Sequence, residues 1–345
     1  MIQFSEANID NILSQWLEQQ AYSQIFILCD TNTYQYCLPI LPQTAIKARL
    51  IVIEAGEQQK NIETCTKIWA ELSQANTDRK ALLINLGGGV IGDMGGFSAA
   101  TFKRGIDFLQ IPTTLLSQVD ASVGGKLAVD FLGYKNQIGL FKEPKAVFID
   151  SVFLQTLPER EIMSGYAEIL KHSLIADLEQ WHSLQKIDKI TDITNWQNLI
   201  VHSVSIKENI VKKDPQEQGE RKLLNFGHTI GHAIETYFLQ SETYLLHGEA
   251  IAWGMYAESW LSWQKGFLSE QDFEQIAAYI KKHYAYTKPK LDEKSICEVI
   301  EIAKQDKKNE NNTFLFTLLH SLGKGIINIK VSENELKASL NLMKA

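Results

Sequence analysis

Leu86-Gly87-Gly88-Gly89-Val90-Ile91-Gly92-Asp93 closes an apolar run at 81–86 and opens a helical pattern at 92–101. Glycines permit a tight turn and let backbone N–H groups come close to a phosphate, and the helix start adds a dipole that favours a pyrophosphate. The spacing is not the standard Gly-x-Gly-x-x-Gly, so a plain strand-to-helix turn is the competing reading. Outward from this turn, apolar runs at 25–29, 50–54, 108–111 and 146–149 alternate with a helical segment at 61–73. Short, wholly apolar strands alternating with helices predict a parallel sheet covered on both faces. From about 151 the texture changes: 159–176, 196–213, 229–238, 249–265, 270–283 and 294–304 carry helical spacing, and only 313–318 and 325–329 read as strands. The expectation is an α/β domain over 1–150 followed by a mainly α-helical domain over 151–345.

The chain has 345 residues, enough for two domains, with 45% hydrophobic and 22% charged residues, as in ordinary globular proteins. A net charge of −7 without a basic block argues against nucleic acid or an anionic membrane as the main partner. Cys29, Cys37, Cys65 and Cys297 form no Cys-x-x-Cys pair and read as buried thiols. The start of the chain is neither basic nor apolar, and no stretch is long enough to span a bilayer; a cytoplasmic protein is expected.

Around the proposed sheet, Asp30-Thr31-Asn32 lies where ligands of such sheets collect. Gly56-Glu57-Gln58-Gln59-Lys60 offers a carboxylate for ribose hydroxyls and a charge for phosphate, or is a solvated turn. Ile111-Pro112-Thr113-Thr114 leads to Asp120 and Lys126, which flank Gly124-Gly125. A hairpin of 127–134 with 136–141 would carry Lys135-Asn136. With Lys103-Arg104 these groups suit an anionic substrate, although any single lysine is more simply a solvated charge.

In the second half, Arg221 to Glu249 holds His228, His232 and His247. His228 and His232 are four apart and project from one helix face, and a polar loop at 240–243 lets His247 return beside them. Imidazoles converging from separate elements suit a divalent metal, while a lone helical His is more often a core residue. Glu168 and Lys171, three apart, share a helix face: a surface ion pair, or a carboxylate ligand completing the histidines.

Taken together, the runs 86–96, 111–126, 164–171, 223–235 and 246–255 resemble the 3-dehydroquinate synthase family, a branch of the sugar phosphate cyclases, over nearly the whole chain. The resemblance implies a Rossmann-like N-terminal domain, a helical C-terminal domain and a site in the cleft between them. It further implies NAD and a divalent metal, zinc or cobalt, in a homodimer. The implied metal ligands are Glu168, His228 and His247. NAD would rest on Asn32, Ala55, Gly56, Glu57, Gln58, Gln59, Lys60, Gly89, Val90, Ile91, Gly92, Asp93, Thr113, Thr114, Lys126, Lys135, Phe153, Leu154, Gln155 and Thr156. The sugar phosphate substrate would meet Asp120, Lys126, Asn136, Lys171, Lys207, Arg221, Asn225 and His232, with one lysine of Asp306-Lys307-Lys308. Arg104 looks like the arginine that reaches into a partner subunit's site. Two departures stand out: the family's His-Pro-x-Gly-Lys-Asn reads Phe131-Leu132-Gly133-Tyr134-Lys135-Asn136 here, and the acidic run before the histidine helix reads Asp214-Pro215-Gln216-Glu217.

The implied reaction converts 3-deoxy-D-arabino-heptulosonate 7-phosphate to 3-dehydroquinate and phosphate, in the shikimate pathway to chorismate and the aromatic amino acids. Its steps are transient oxidation by NAD, β-elimination of phosphate, re-reduction, ring opening and intramolecular aldol closure. Arg221 and Lys207 suit the substrate carboxylate; Lys126, Asn136 and Arg104 suit the phosphate. Rival readings are another sugar phosphate cyclase, a metal-dependent alcohol or glycerol dehydrogenase, and a silent NAD-binding protein.

Overall fold

The apolar run ending in Gly87 is buried at every position and lies inside a six-stranded sheet. The computed structural model describes residues 1–42, 48–132, 134–239, 241, 243–304 and 314–344. Tertiary contacts divide the chain into two compact units, residues 1–158 with 195–204, and residues 159–194 with 205–345.

In chain order the first unit contains β1 (Ile2–Ser5), α1 (Ile9–Glu18), β2 (Ile25–Asp30), α2 (Thr31–Tyr36), β3 (Arg49–Ile53), α3 (Ile62–Gln74), β4 (Leu82–Gly87) and α4 (Gly89–Thr101). It continues with β5 (Asp107–Pro112), β6 (Lys126–Phe131), β7 (Tyr134–Phe141) and β8 (Val147–Asp150). The sheet order is β1-β8-β5-β4-β2-β3, and all its pairings are parallel. Side chains alternate across the sheet because successive strand residues point to opposite faces. Phe26, Leu28 and Leu83 pack with Met94 of α4 and Leu72 of α3 on one face. Ile27, Cys29, Leu82 and Ile84 pack with Ile9 and Leu13 of α1 on the other.

Each interior strand of the expected set is present, with one addition at the edge. β1 and α1, too short and too mixed to announce themselves, are fixed by Asp150, whose buried carboxylate accepts from Ser5 Oγ and from the N–H groups of Ala7 and Asn8. β6 and β7 pair antiparallel from Lys126↔Phe141 to Phe131↔Tyr134, so Tyr134 opens the second strand of the hairpin instead of ending the first. Cys29, Cys37 and Cys65 are buried free thiols, but Cys297 is exposed, contrary to the expectation for it, because it sits on the solvent side of its helix.

The second unit is built from α5 (Glu159–Ala176), α6 (Leu178–Leu184), α7 (Trp196–Lys213), α8 (His228–Phe238), α9 (His247–Gln264), α10 (Glu270–Tyr284) and α11 (Glu293–Lys304). β9 (Phe314–Ser321) and β10 (Lys324–Val331) form an antiparallel pair, and α12 (Glu333–Leu340) follows. α7 begins in the contacts of the first unit and ends in those of the second. Apart from Glu249 and Glu258, α9 is apolar or small from Gly248 to Ser259 and is buried throughout that stretch, as a central helix must be. Among the described residues no helix is long and apolar enough to cross a membrane.

Candidate functional site

Parallel sheets of this kind bind ligands beyond the carboxyl ends of their strands, where the strand order reverses. Here the reversal falls between β2 and β4, whose ends are Asp30 and Gly87. Helix α4 begins at Gly89, earlier than the apolar spacing indicates, with Gly88 as a cap that offers no side-chain hydrogen bond. Gly88 thus supplies no side-chain acceptor to the first-turn N–H groups, and Gly88, Gly89 and Val90 are partly exposed where the whole of β4 is buried. Ile91 turns into the core, so of the expected cofactor residues it offers only its backbone. The same holds for Phe153 and Leu154, buried in the 3-10 turn Ser151–Thr156, while Gln155 and Thr156 are exposed.

The stretch at 56–60 is exposed at Gly56, Glu57 and Gln58 but turns inward at its end. Lys60 is buried and donates to Asp93 Oδ2 at 2.6 Å and to Asn136 Oδ1 at 2.7 Å. Burial disfavours its ammonium, but Asp93 and Glu57 outweigh that and raise its pKa. Lys135 Nζ lies 3.5 Å from Glu57 Oε1, and Asn136 N–H donates to Asp130. Gly56–Lys60, Asp93 and Lys135-Asn136 are thus one polar network, although the sequence separates them widely. Thr113 is buried and Thr114 partly so; Lys126 and Asn32 are exposed and Asp120 partly exposed.

In the second unit, His228 and His247 are each the first residue of a helix, α8 and α9. Glu168, midway along α5, is wholly buried between them. Its Oε1 lies 3.6 Å from His228 Nε2 and 3.7 Å from His247 Nε2, too long for a hydrogen bond. Lys171 Nζ pairs with Glu168 Oε2 across one helical turn, while Oε1 has no hydrogen-bond partner among the described residues. This pair is fully buried, so it is no surface ion pair. Burial favours a neutral Glu168, but Lys171, His228 and His247 prevail and hold its carboxyl well below the usual range.

The two imidazoles are oriented from behind. His228 Nδ1 donates to the Phe226 carbonyl, and His247 Nδ1 donates to Glu235 Oε2, both at 3.1 Å. With Nδ1 carrying the proton, each ring presents its Nε2 lone pair to the same carboxylate oxygen. Held this way, with a cation between them, the two Nε2 lone pairs and the carboxylate oxygen would face one ion. Ligands about 2.1 Å from a tetrahedral ion stand about 3.4 Å apart, close to the separations seen. At His247 burial opposes charge, but Glu235 and Glu168 bring its pKa up to about 10, so that without a cation the ring carries a proton on each nitrogen. His232 is more exposed, with its ring 5.1 Å from that of His228 and 5.5 Å from that of His247.

Backbone contacts hold these elements together. Gly248 packs so closely against Ser164 of α5 that a Cβ there would overlap its carbonyl oxygen, and Gly248 N–H donates to Ser164 Oγ. Gly254 of α9 similarly abuts Gly227, whose left-handed φ of 80° turns the chain into α8. Glu258 accepts from Gly227 N–H at 2.6 Å and Ile230 N–H at 3.1 Å, capping α8 from the neighbouring helix. Arg160 grips Glu249 through two nitrogens, at 2.7 and 2.8 Å, and Glu249 accepts from Leu246 N–H ahead of His247. Lys207 and Arg221 are buried; Arg221 donates to the Pro215 carbonyl and Asn225 to Glu217, both at 2.6 Å. Lys307 and Lys308 lie outside the described residues. Glu235, Glu249 and Glu258 were absent from the expected set. Their only sequence signal is an acidic residue on an otherwise apolar helix.

Two family models match end to end, 3-dehydroquinate synthase N-terminal over residues 50–164 and 3-dehydroquinate synthase C-terminal over 165–309. A relative from Parabacteroides distasonis named 3-dehydroquinate synthase is 43% identical over 334 residues, 95% of this chain and 94% of its own. One of the same name from Clostridium beijerinckii is 41% identical over 309 residues, 88% of this chain and 87% of its own. Among solved structures, 2-deoxy-scyllo-inosose synthase with carbaglucose-6-phosphate, NAD+ and Co2+ superposes with a TM-score of 0.86 at 23% identity, over 99% of this chain and 96% of its own. The 2-epi-5-epi-valiolone synthase of Streptomyces hygroscopicus with NAD+ and Zn2+ gives the same values. Both structures share the fold. With the family models spanning both units and relatives above 40% identity along most of its length, the chain belongs to the 3-dehydroquinate synthase family.

Proposed function

We propose that the chain converts 3-deoxy-D-arabino-heptulosonate 7-phosphate to 3-dehydroquinate and inorganic phosphate, with no net change in its nicotinamide cofactor. The observation that carries this reading is the convergence of the Nε2 atoms of His228 and His247 on Glu168 Oε1, at 3.6 and 3.7 Å. That donor set, one carboxylate and two imidazoles, suits zinc or cobalt, and Glu168, His228 and His247 would hold the ion. The glycine turn before α4, without a side-chain cap, suits a dinucleotide. Asn32, residues 55–60, residues 89–93, Thr113, Thr114, Lys126, Lys135 and residues 153–156 would hold NAD. When bound, the nicotinamide supplies reversible hydride acceptance and the cation supplies Lewis acidity.

The chain's own groups do the positioning. Arg221, with Lys207, offers a fork for the substrate carboxylate, a feature that favours this substrate over hexose phosphates that lack a carboxylate. Its main-chain N–H is held by Asp214, so the guanidinium is placed in advance. Lys171 beside Glu168 adds a fixed positive charge where oxygen anions develop. His232, one turn beyond His228 and exposed, would hold or move a proton of the phosphate or a substrate hydroxyl. Lys126 and Asn136 would steady the phosphate, with Asn136 set by Lys60 and Asp130. Asp120 and Asn225 would complete the hydroxyl contacts.

We include a homodimer in this reading, with Arg104 serving the partner's site. Lys103 and Arg104 adopt left-handed φ values of 49° and 65° ahead of Gly105. Such backbone costs about 1–3 kcal/mol per residue, which an exposed turn does not need for itself. The test is release of phosphate from the heptulosonate phosphate by protein supplied with NAD. Activity lost to a chelator and restored by Zn2+ or Co2+, without accumulation of NADH, is expected. Chelator-insensitive turnover, or NADH accumulating from a simple alcohol, overturns the reading.

A further inference from the structure

Glu235 lies seven residues after His228, two turns along the same face of α8, and its side chain is only 5% exposed. Its Oε2 stands 3.1 Å from His247 Nδ1, and the opposite nitrogen of that ring faces Glu168. A buried carboxylate on a helix is expensive unless it has a partner of this kind. Packing alone would be served by an apolar residue at the position. We propose that Glu235 is a positioning residue for the cation centre: it fixes the His247 tautomer, aims Nε2 into the site and strengthens that nitrogen as a ligand. The inference rests on the cation reading given above and adds to it a residue that touches neither the ion nor the substrate.

Carboxylates placed behind a metal-bound imidazole typically account for about 10- to 100-fold in metal affinity. Glu235 has a particular claim to this effect, because His228 is held from behind by a neutral carbonyl, whereas His247 is held by a charge. The ligand pair is therefore asymmetric, with His247 the more basic donor. Removing Glu235 frees the ring to rotate about its χ2 angle and leaves either nitrogen able to carry the proton.

The test compares wild type, Glu235→Ala and Glu235→Gln, each stripped of metal and titrated with Co2+ against a competing chromophoric chelator. The visible absorption of the bound Co2+ and NADH binding are measured beside it. The alanine variant should bind Co2+ about 10- to 100-fold more weakly with an altered absorption band. The glutamine variant, whose amide oxygen still accepts from Nδ1 but carries no charge, should fall between the two. NADH affinity should not change in either, since a folded nucleotide unit does not depend on this contact. If the alanine variant does not fold, the glutamine variant carries the test. Wild-type affinity and an unchanged Co2+ band in the folded variants overturn the inference. Wild-type protein that takes up no Co2+ overturns the cation reading itself, and this inference with it, and is distinguishable by that control.

Discussion

Gly248→Ala tests whether the cation centre is set by backbone contact. A Cβ at this position overlaps the Ser164 carbonyl oxygen by about an ångström beyond the closest approach that Cβ atoms make. Backbone faces backbone there, so no side chain can rotate aside, and the start of α9 must retreat from α5 by roughly 1 Å. His247 precedes Gly248 and retreats with it, so its Nε2 moves from 3.7 Å to nearly 5 Å from Glu168 Oε1. An ion with bonds of about 2.1 Å cannot reach two ligands more than about 4.2 Å apart. Losing one of the three proposed protein ligands should weaken Zn2+ binding by more than the about 10- to 100-fold that loss of a group behind a ligand costs. The overpacking itself should cost about 1–3 kcal/mol of stability. Chelator competition and zinc stoichiometry by elemental analysis read the first effect, and urea unfolding the second. Gly219→Ala is the control, since its nearest neighbour would be Asp214 Oδ2 at 3.8 Å. Full-strength zinc binding by Gly248→Ala would refute the reasoning.

Glu258→Gln replaces one of two acceptors that cap α8 with an NH2 group facing a backbone N–H. A lost charge-assisted bond and a buried unsatisfied donor together cost about 3 kcal/mol. A fall in melting temperature of about 6–12 °C is expected by calorimetry, and a fall under 2 °C would show that the cap is dispensable. His283 has a pKa lowered chiefly by burial, helped by Lys282 and opposed by Asp188. The unfolded chain then binds more protons there than the folded one, so stability falls as pH drops below about 6.5, by up to about 1.4 kcal/mol per pH unit. Urea midpoints between pH 7 and pH 5 should decline less steeply for His283→Gln than for wild type; parallel declines would refute the assignment.

Much of the fold was legible because it depends on burial. β4 and its neighbours are wholly apolar and bounded by glycine, so composition alone marks them. Helix starts were less legible: α8 and α9 begin on His228 and His247, and α4 on Gly89, residues that add nothing to an apolar stripe. β1 has four residues and pairs with a strand far along the chain, so nothing local specifies it. The resemblance named Glu168, His228 and His247, and the structure brings their donor atoms together. The groups behind them were invisible, since Glu235, Glu249 and Glu258 act only through contacts between helices. Lys60, open to reading as part of a solvated turn, and Lys171, open to reading as half of a surface ion pair, are both buried; nothing local shows this for Lys60, whose partners Asp93 and Asn136 lie on other segments.

The glycine seams at Gly248 and Gly254 leave no soft layer between α5, α8 and α9. A cage cast in main chain cannot breathe to suit its guest. If Glu168, His228 and His247 hold the ion as proposed, donor gaps of 3.6 and 3.7 Å would act as a size gauge. Calcium, with bonds of about 2.3–2.6 Å and an appetite for six to eight oxygens, would find the frame too small and too rich in nitrogen. Selection among cellular ions would thus be written into the distance between helices as much as into the chemistry of the ligands.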